Sequence, residues 1–240
     1  MPTPYVGHIL AGVSLMDICG SEIKRVTGRR KLTSTIISAV TALFKVHVGL
    51  EGSDFPQTPD EYTFDTYTAT DQVGPQIVHI DWAGGHYVVL YRTSKHVVLV
   101  YDSSGGGKTL PREQVVRCVG KIYPGCVAHN VALSPQQKNN YDCGVFALAI
   151  LLLLLCHIDP LTVKFGSSKE MRRTLAEIMS TNVVKHFPYT SVARKMGPSP
   201  GPLFGTESNI VRPKTRGRRL ALEDCIVPEN VPEELLVTSR

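Results

Sequence analysis

The chain has 240 residues, 42% of them apolar and 20% charged, with a formal net charge of +5. That composition excludes a chain too polar to fold and leaves room for one domain with a sizeable core, and a tail. The six cysteines (Cys19, Cys118, Cys126, Cys143, Cys156 and Cys225) form no Cys-x-x-Cys pair and no zinc-like Cys/His spacing. They read as reduced thiols of an intracellular protein, nuclear or cytoplasmic, and no metal site is expected.

In chain order, the apolar patch from Tyr5 to Met16 lacks a basic leader and is interrupted by His8, so it does not read as a signal peptide. Residues 1–30 are mixed and end in a basic group, Lys24, Arg25, Arg29, Arg30 and Lys31. Leu32, Ile36, Ile37, Val40, Leu43 and Phe44 recur at helical spacing, which predicts an amphipathic helix capped by Thr33 or Ser34. Residues 51–75, rich in Asp, Thr, Pro and Gly, read as a loop.

Three strands are predicted next, over Gln76–Ile80, His86–Tyr91 and His96–Tyr101, the last two joined by a turn at Thr93–Lys95. If that turn centres on Ser94, His86 and Asp102 lie directly opposite each other and share one face of the hairpin. An imidazole so placed gives one ring nitrogen to the carboxylate and keeps the other as a base. His79, His96, His129 and His157 fit such a pairing less well. The Gly105–Gly107 run has no following Gly-Lys-Ser/Thr and does not read as a phosphate loop. A helix over Arg112–Val119 and a strand over Val127–Val131 follow, and Ser168–His186 reads as a second amphipathic helix.

The stretch from Gln136 to Gly144 is polar and turn-forming, and it runs directly into the apolar segment Val145–Cys156. Asn and Asp before Ala and Leu predict a helix beginning near Cys143, apolar on every face and so buried on all sides. It is far shorter than the roughly 20 residues that span a bilayer, so no membrane role is expected. A cysteine in the first turn of such a helix meets unpaired N–H groups and the positive end of the dipole, which favour a thiolate. The plainer reading of Cys143 is a small buried hydrophobe. Beyond Tyr189 the prolines and glycines, the basic run Arg212–Arg219 and a short acidic stretch predict a disordered tail, residues 191–240. The basic run reads as a nuclear import signal, a nucleic-acid contact or a solvated tail.

Taken together, the segments Gly85–Leu90, Val100–Ser103 and Gln136–Phe146 resemble the ubiquitin-like-protein proteases, which remove SUMO or NEDD8 and are distantly related to adenovirus protease. The resemblance covers about residues 20–190 and is strongest over 76–156. It implies an α+β, papain-like domain over residues 1–190, with a mixed sheet packed on the buried helix that carries the nucleophile. It further implies Cys143 as nucleophile, His86 as base, Asp102 as its orienting carboxylate and Gln137, ahead of Gln136, as oxyanion donor. The implied partner is a ubiquitin-like modifier or its conjugates, cleaved after the C-terminal glycine, with no cofactor. A viral or mobile-element polyprotein, acyl transfer, or an inactive binding module are the other readings. The sequence departs from the family at the two tryptophans that wall the substrate tunnel. Tyr87 follows the histidine, and Lys31-Leu32-Thr33-Ser34 replaces a Trp-Leu-x-Asp motif. Trp82, the only tryptophan, is the candidate to fill part of that wall.

Overall fold

The structure, a computed structural model, describes residues 12–49, 67–80, 85–104, 112–131, 133, 137–192 and 202–203. Its helices are α1 (Leu15–Cys19), α2 (Ile23–Thr27), α3 (Ser34–His47), α4 (Arg112–Ile122), α5 (Cys143–Leu155) and α6 (Ser168–Thr181). The strands β1 (Gly74–Ile80), β2 (His86–Arg92), β3 (Val97–Tyr101), β4 (Val127–Val131) and β7 (Pro202–Leu203) form one sheet in the order β1-β2-β3-β4-β7. All neighbours are antiparallel except β3 and β4, which are parallel and joined through α4. A second, small sheet pairs β5 (Val163–Phe165) with β6 (Tyr189–Ser191).

Strand residues alternate between two cores, as the two-residue period of a pleated strand requires. Ile77, Tyr87, Val89, Leu99, Tyr101 and Val131 face the larger one, built on α3, α5 and α6. Val78, Ile80, Val88, Leu90, Val98 and Val100 face the smaller one, closed by Val115, Cys118, Val119 and Ile122 of α4. Every residue of α5 is buried, in keeping with its lack of a polar face. The architecture is therefore the expected α+β one, a mixed sheet packed on a buried helix that begins at Cys143. Among the described residues no helix is long and apolar enough to cross a membrane.

The predicted helix after Lys31 is α3, with Thr33 as its cap, its hydroxyl accepting from the Ile36 N–H. Other elements differ from expectation. The mixed segment 1–30 holds α1 and α2, which dock on α6; Ser14 caps α1 and donates to Met179 O at 3.2 Å. The helix expected to reach His186 stops at Thr181 because Asn182 turns left-handed (φ 54°). Its amide accepts from Leu15 N–H at 2.9 Å and donates to Val13 O at 2.6 Å. Within the segment expected to be disordered, Ser191 completes β6, and Pro202–Leu203 pair with His129 and Ala128 of β4. An open strand edge offers unpaired N–H and C=O groups to any passing backbone, which composition does not disclose. Residues 193–201 and 204–240 lie outside the described residues, as do most of the predicted 51–75 loop and the Arg212–Arg219 run.

Leu148, fully buried in the middle of α5, measures how tightly this core is packed. Leu148→Ala should lower the unfolding free energy by ~2–5 kcal/mol in urea titrations, the range for large-to-small core substitutions.

Candidate active site

The hairpin of β2 and β3 opens the site. Its register pairs Val89 with Tyr101 and Arg92 with Val98, which centres the turn on Lys95 rather than on Ser94. The turn is longer than expected, closed by the Thr93 N–H donating to Val97 O at 3.1 Å. Asp102 therefore faces Val88, and His86 lies on the diagonal, not directly opposite. The offset is an even number of residues, so both side chains keep the same face. Diagonal neighbours stand about 7–8 Å apart at Cα, within reach of a long side chain. The contact forms: His86 Nε2 lies 2.7 Å from Asp102 Oδ1. The carboxylate is fully buried and also accepts from Ser104 N–H at 3.0 Å and Ser104 Oγ at 2.6 Å.

With Nε2 held by Asp102, the Nδ1 side of the ring is left for Cys143, whose thiol is hydrogen-bonded to the imidazole. Burial pulls the imidazole pKa down, but the hydrogen bonds and charges of Asp102 and Cys143 outweigh it and push it up to about 9. Burial pushes the Cys143 thiol up, yet the hydrogen bond and charge of His86 bring it below its usual value. The backbone N–H of Tyr87 and the ammonium of Lys31 add to that lowering. Asp102 is likewise disfavoured as an anion by burial, and its bonds to His86 and Ser104 bring it below the usual carboxylate range. All three shifts favour the thiolate–imidazolium form of the pair.

Cys143 stands at the first position of α5, where backbone N–H groups have no partner within the helix. Asp142 occupies the N-cap position, but its carboxylate makes no cap bond. It turns instead to Asn139 Nδ2 (2.6 Å), the Ser168 hydroxyl and Arg172 Nε (2.6 Å). Gly144 follows because the start of α3 lies against this turn. A Cβ there would sit 3.1 Å from Ile37 Cδ1 and 3.3 Å from Leu32 Cβ. At the base, Gly85 has φ +94°, and a Cβ on it would overlap the His79 ring. Its carbonyl accepts from Lys31 Nζ at 2.5 Å.

Gln137 reaches the same corner. Its Oε1 accepts from Ser103 Oγ at 2.8 Å, and one of its two side-chain N–H groups donates to Asn139 O at 2.5 Å. Gln136 and Trp82 lie outside the described residues. The Tyr87 ring is 2% exposed, its centroid 4.9 Å from that of His79 in an edge-on contact. The backbone N–H of Tyr87 is hydrogen-bonded to the Cys143 thiol. Lys31, Ser104 and Arg172 were not singled out by sequence reasoning as parts of a site. Of these only Lys31 carried a signal, as the residue standing where the family pattern has tryptophan. Among the described residues no cluster of His, Cys, Asp and Glu is arranged to hold a metal ion.

Fold and site together define a class: an α+β protein with a buried cysteine, histidine and aspartate in one hydrogen-bonded line at the start of its core helix. No protein-family model matches the sequence, and no curated protein matches it. Among solved structures the chain is similar to the SUMO protease Ulp1 with its catalytic cysteine oxidised to a sulfinic acid. The two share 18% identity over 68% of this chain and 83% of that one, with a TM-score of 0.45. For the sulfenic acid form the values are 15%, 76%, 96% and 0.47. It is also similar to the C-terminal Ulp1 protease domain in complex with Smt3, the yeast ortholog of SUMO, at 17%, 66%, 80% and 0.46.

The pKa shifts make a signed prediction. Alkylation of Cys143 should set in at lower pH than that of an ordinary cysteine thiol, because the thiolate is the reactive form and the thiol pKa is lowered. His86→Ala removes the largest influences that lower the thiol pKa and should move the profile toward alkali. In Cys143→Ala the imidazole loses two of the influences that raise it, so its midpoint, followed by NMR, should fall below about 9.

Proposed function

We propose that this chain is a cysteine peptidase or isopeptidase that cleaves after the C-terminal glycine of a ubiquitin-like modifier. The observation that carries the chemistry is the Cys143–His86–Asp102 line at the start of α5, with the thiol lowered and the imidazole raised. The modifier as substrate is supported by the resemblance of the segments around His86, Asp102 and Cys143 to the ubiquitin-like-protein proteases.

In this reading the Cys143 thiolate attacks the scissile carbonyl and forms a C–S bond. The oxyanion takes hydrogen bonds from the Cys143 backbone N–H and from the second side-chain N–H of Gln137. The His86 imidazolium gives its proton to the leaving amine as the C–N bond breaks. Neutral His86 then takes a proton from water, whose oxygen attacks the thioester and frees Cys143. Asp102 keeps the ring oriented through both steps. The chemistry requires a reduced thiol, which suits the nucleus or cytoplasm.

One observation favours a second protein substrate. Lys31 stands where the family pattern has a tunnel tryptophan, and its ammonium is bound to Gly85 O. A binding channel without that tryptophan fits a polyprotein junction with residues larger than glycine.

A panel of ubiquitin-like proteins carrying a C-terminal electrophile tests both readings. The first expects one modifier probe to label wild type at Cys143 and not Cys143→Ala. No labelling by any modifier probe, with cleavage of larger-residue junctions, would select the second. Cys143→Ala should lower turnover at least ~10³-fold while the protein still unfolds cooperatively. Gln137→Ala should lower kcat on the order of 10²-fold, the usual loss for one oxyanion donor.

A further inference from the structure

Arg172, on α6, is 5% exposed and takes no part in the chemistry described above. A guanidinium carries five N–H donors, and here all five are engaged. Nε donates to Asp142 Oδ1 at 2.6 Å. Nη1 donates to Arg25 O at 2.6 Å and Val26 O at 3.0 Å. Nη2 donates to Arg30 O at 2.7 Å and Tyr141 O at 3.1 Å. The group also lies over the Tyr141 ring, 5.5 Å from its centroid.

Two paths leave this one group, and each ends at a reacting side chain. On the first, Asp142 is the residue before Cys143. Its carboxylate also holds Asn139, whose Oδ1 accepts from the Tyr141 and Asp142 N–H groups at 3.0 Å each. Asn139 O in turn accepts from Gln137 Nε2. On the second, Arg30 O fixes the chain next to Lys31, whose Nζ reaches Gly85 O, the residue before His86. Gly85 cannot shift toward His79 to compensate for a lost contact, because that ring already fills the space beside it.

We propose that Arg172 is the positioning residue for this site, setting the alignment of Cys143 with His86 by holding the supports of both on one guanidinium. The proposal rests on the peptidase reading above. A lysine at 172 keeps a charge opposite Asp142 but has only three donors on a single atom, so it cannot reach all five acceptors. The nucleophile and base would then be held less closely, and misplacement on the order of an ångström can cost about 10²-fold in rate.

The test compares wild type, Arg172→Lys and the charge-free double variant Asp142→Asn/Arg172→Met, which avoids a buried unpaired charge. Each is checked for cooperative thermal unfolding. Cys143 is then alkylated with chloroacetamide across pH, its modification followed by mass mapping. The expected result is folded variants whose alkylation midpoints move toward alkali by about one pH unit, so that alkylation at pH below the wild-type midpoint slows about tenfold, with Arg172→Lys the less affected. With a modifier probe that labels wild type, the labelling rate should fall at saturating probe without weaker probe binding. Folded variants that keep the wild-type profile and labelling rate would overturn the proposal. Loss of folding in both variants would also overturn it, in favour of a role in stability alone. An ordinary thiol profile in wild type would overturn the peptidase reading itself, and this proposal with it.

Discussion

A helix with no polar face must be enclosed on every side, and that constraint arranges the rest of this protein. Helix α5 is covered by the sheet on one side and by α3 and α6 on others, all within the larger core. Only its ends are free of that demand. At the N-terminal end the backbone offers unpaired N–H groups, and the sheet brings the first residue of β2 and the residue after β3 to the same place. The site thus lies at an end where a buried apolar element must present polarity.

Placing charge there is costly, because a dry environment disfavours each ion alone. The protein meets this by pairing. His86 lies between an aspartate and the Cys143 thiol, while Asp142 is matched by Arg172 and two neutral donors. The two networks meet at consecutive residues, Asp142 and Cys143. The first carries the groups that would change protonation during a reaction, and the second carries none that need to. In the proposed reaction, keeping the structural ion pair apart from the Cys143–His86 pair would let protons move at the site without loosening the loop that holds it.

Much of this was legible in the sequence because it is local. The alternation of β2 and β3, the period of α3 and the unbroken apolar run of α5 are short-range patterns with few alternative readings. The partnership of His86 with Asp102 also came from a local argument, although the turn centre was misplaced. It survived because an error of two residues preserves the face of a strand, whereas an error of one would have reversed it. What could not be read was long-range. Asp142 looks like an N-cap from its neighbours, but its carboxylate is drawn elsewhere by Asn139 and, from α6, by Ser168 and a guanidinium thirty residues away. Arg172 is one arginine in an amphipathic helix, and its carbonyl partners leave no trace in side-chain identity. Helices α1 and α2 are too short for a period to show, and β7 forms because an edge was open.

Some of the longest-range bonds join residues 14–30 to α6 and the residue that ends it. Ser14 meets Met179, Leu15 meets Asn182, and Arg25, Val26 and Arg30 meet Arg172, across separations of 142 to 167 residues. Contacts so distant in sequence cannot form until the later partner exists. A chain emerging from the ribosome would thus carry Cys143, His86 and Asp102 for some time before α6 arrives to lock their surroundings. If Arg172 has the positioning role proposed for it, the order of synthesis would act as a delay: the Cys143 thiol leaves the ribosome before the scaffold that aligns it, and full reactivity would wait until α6 has docked.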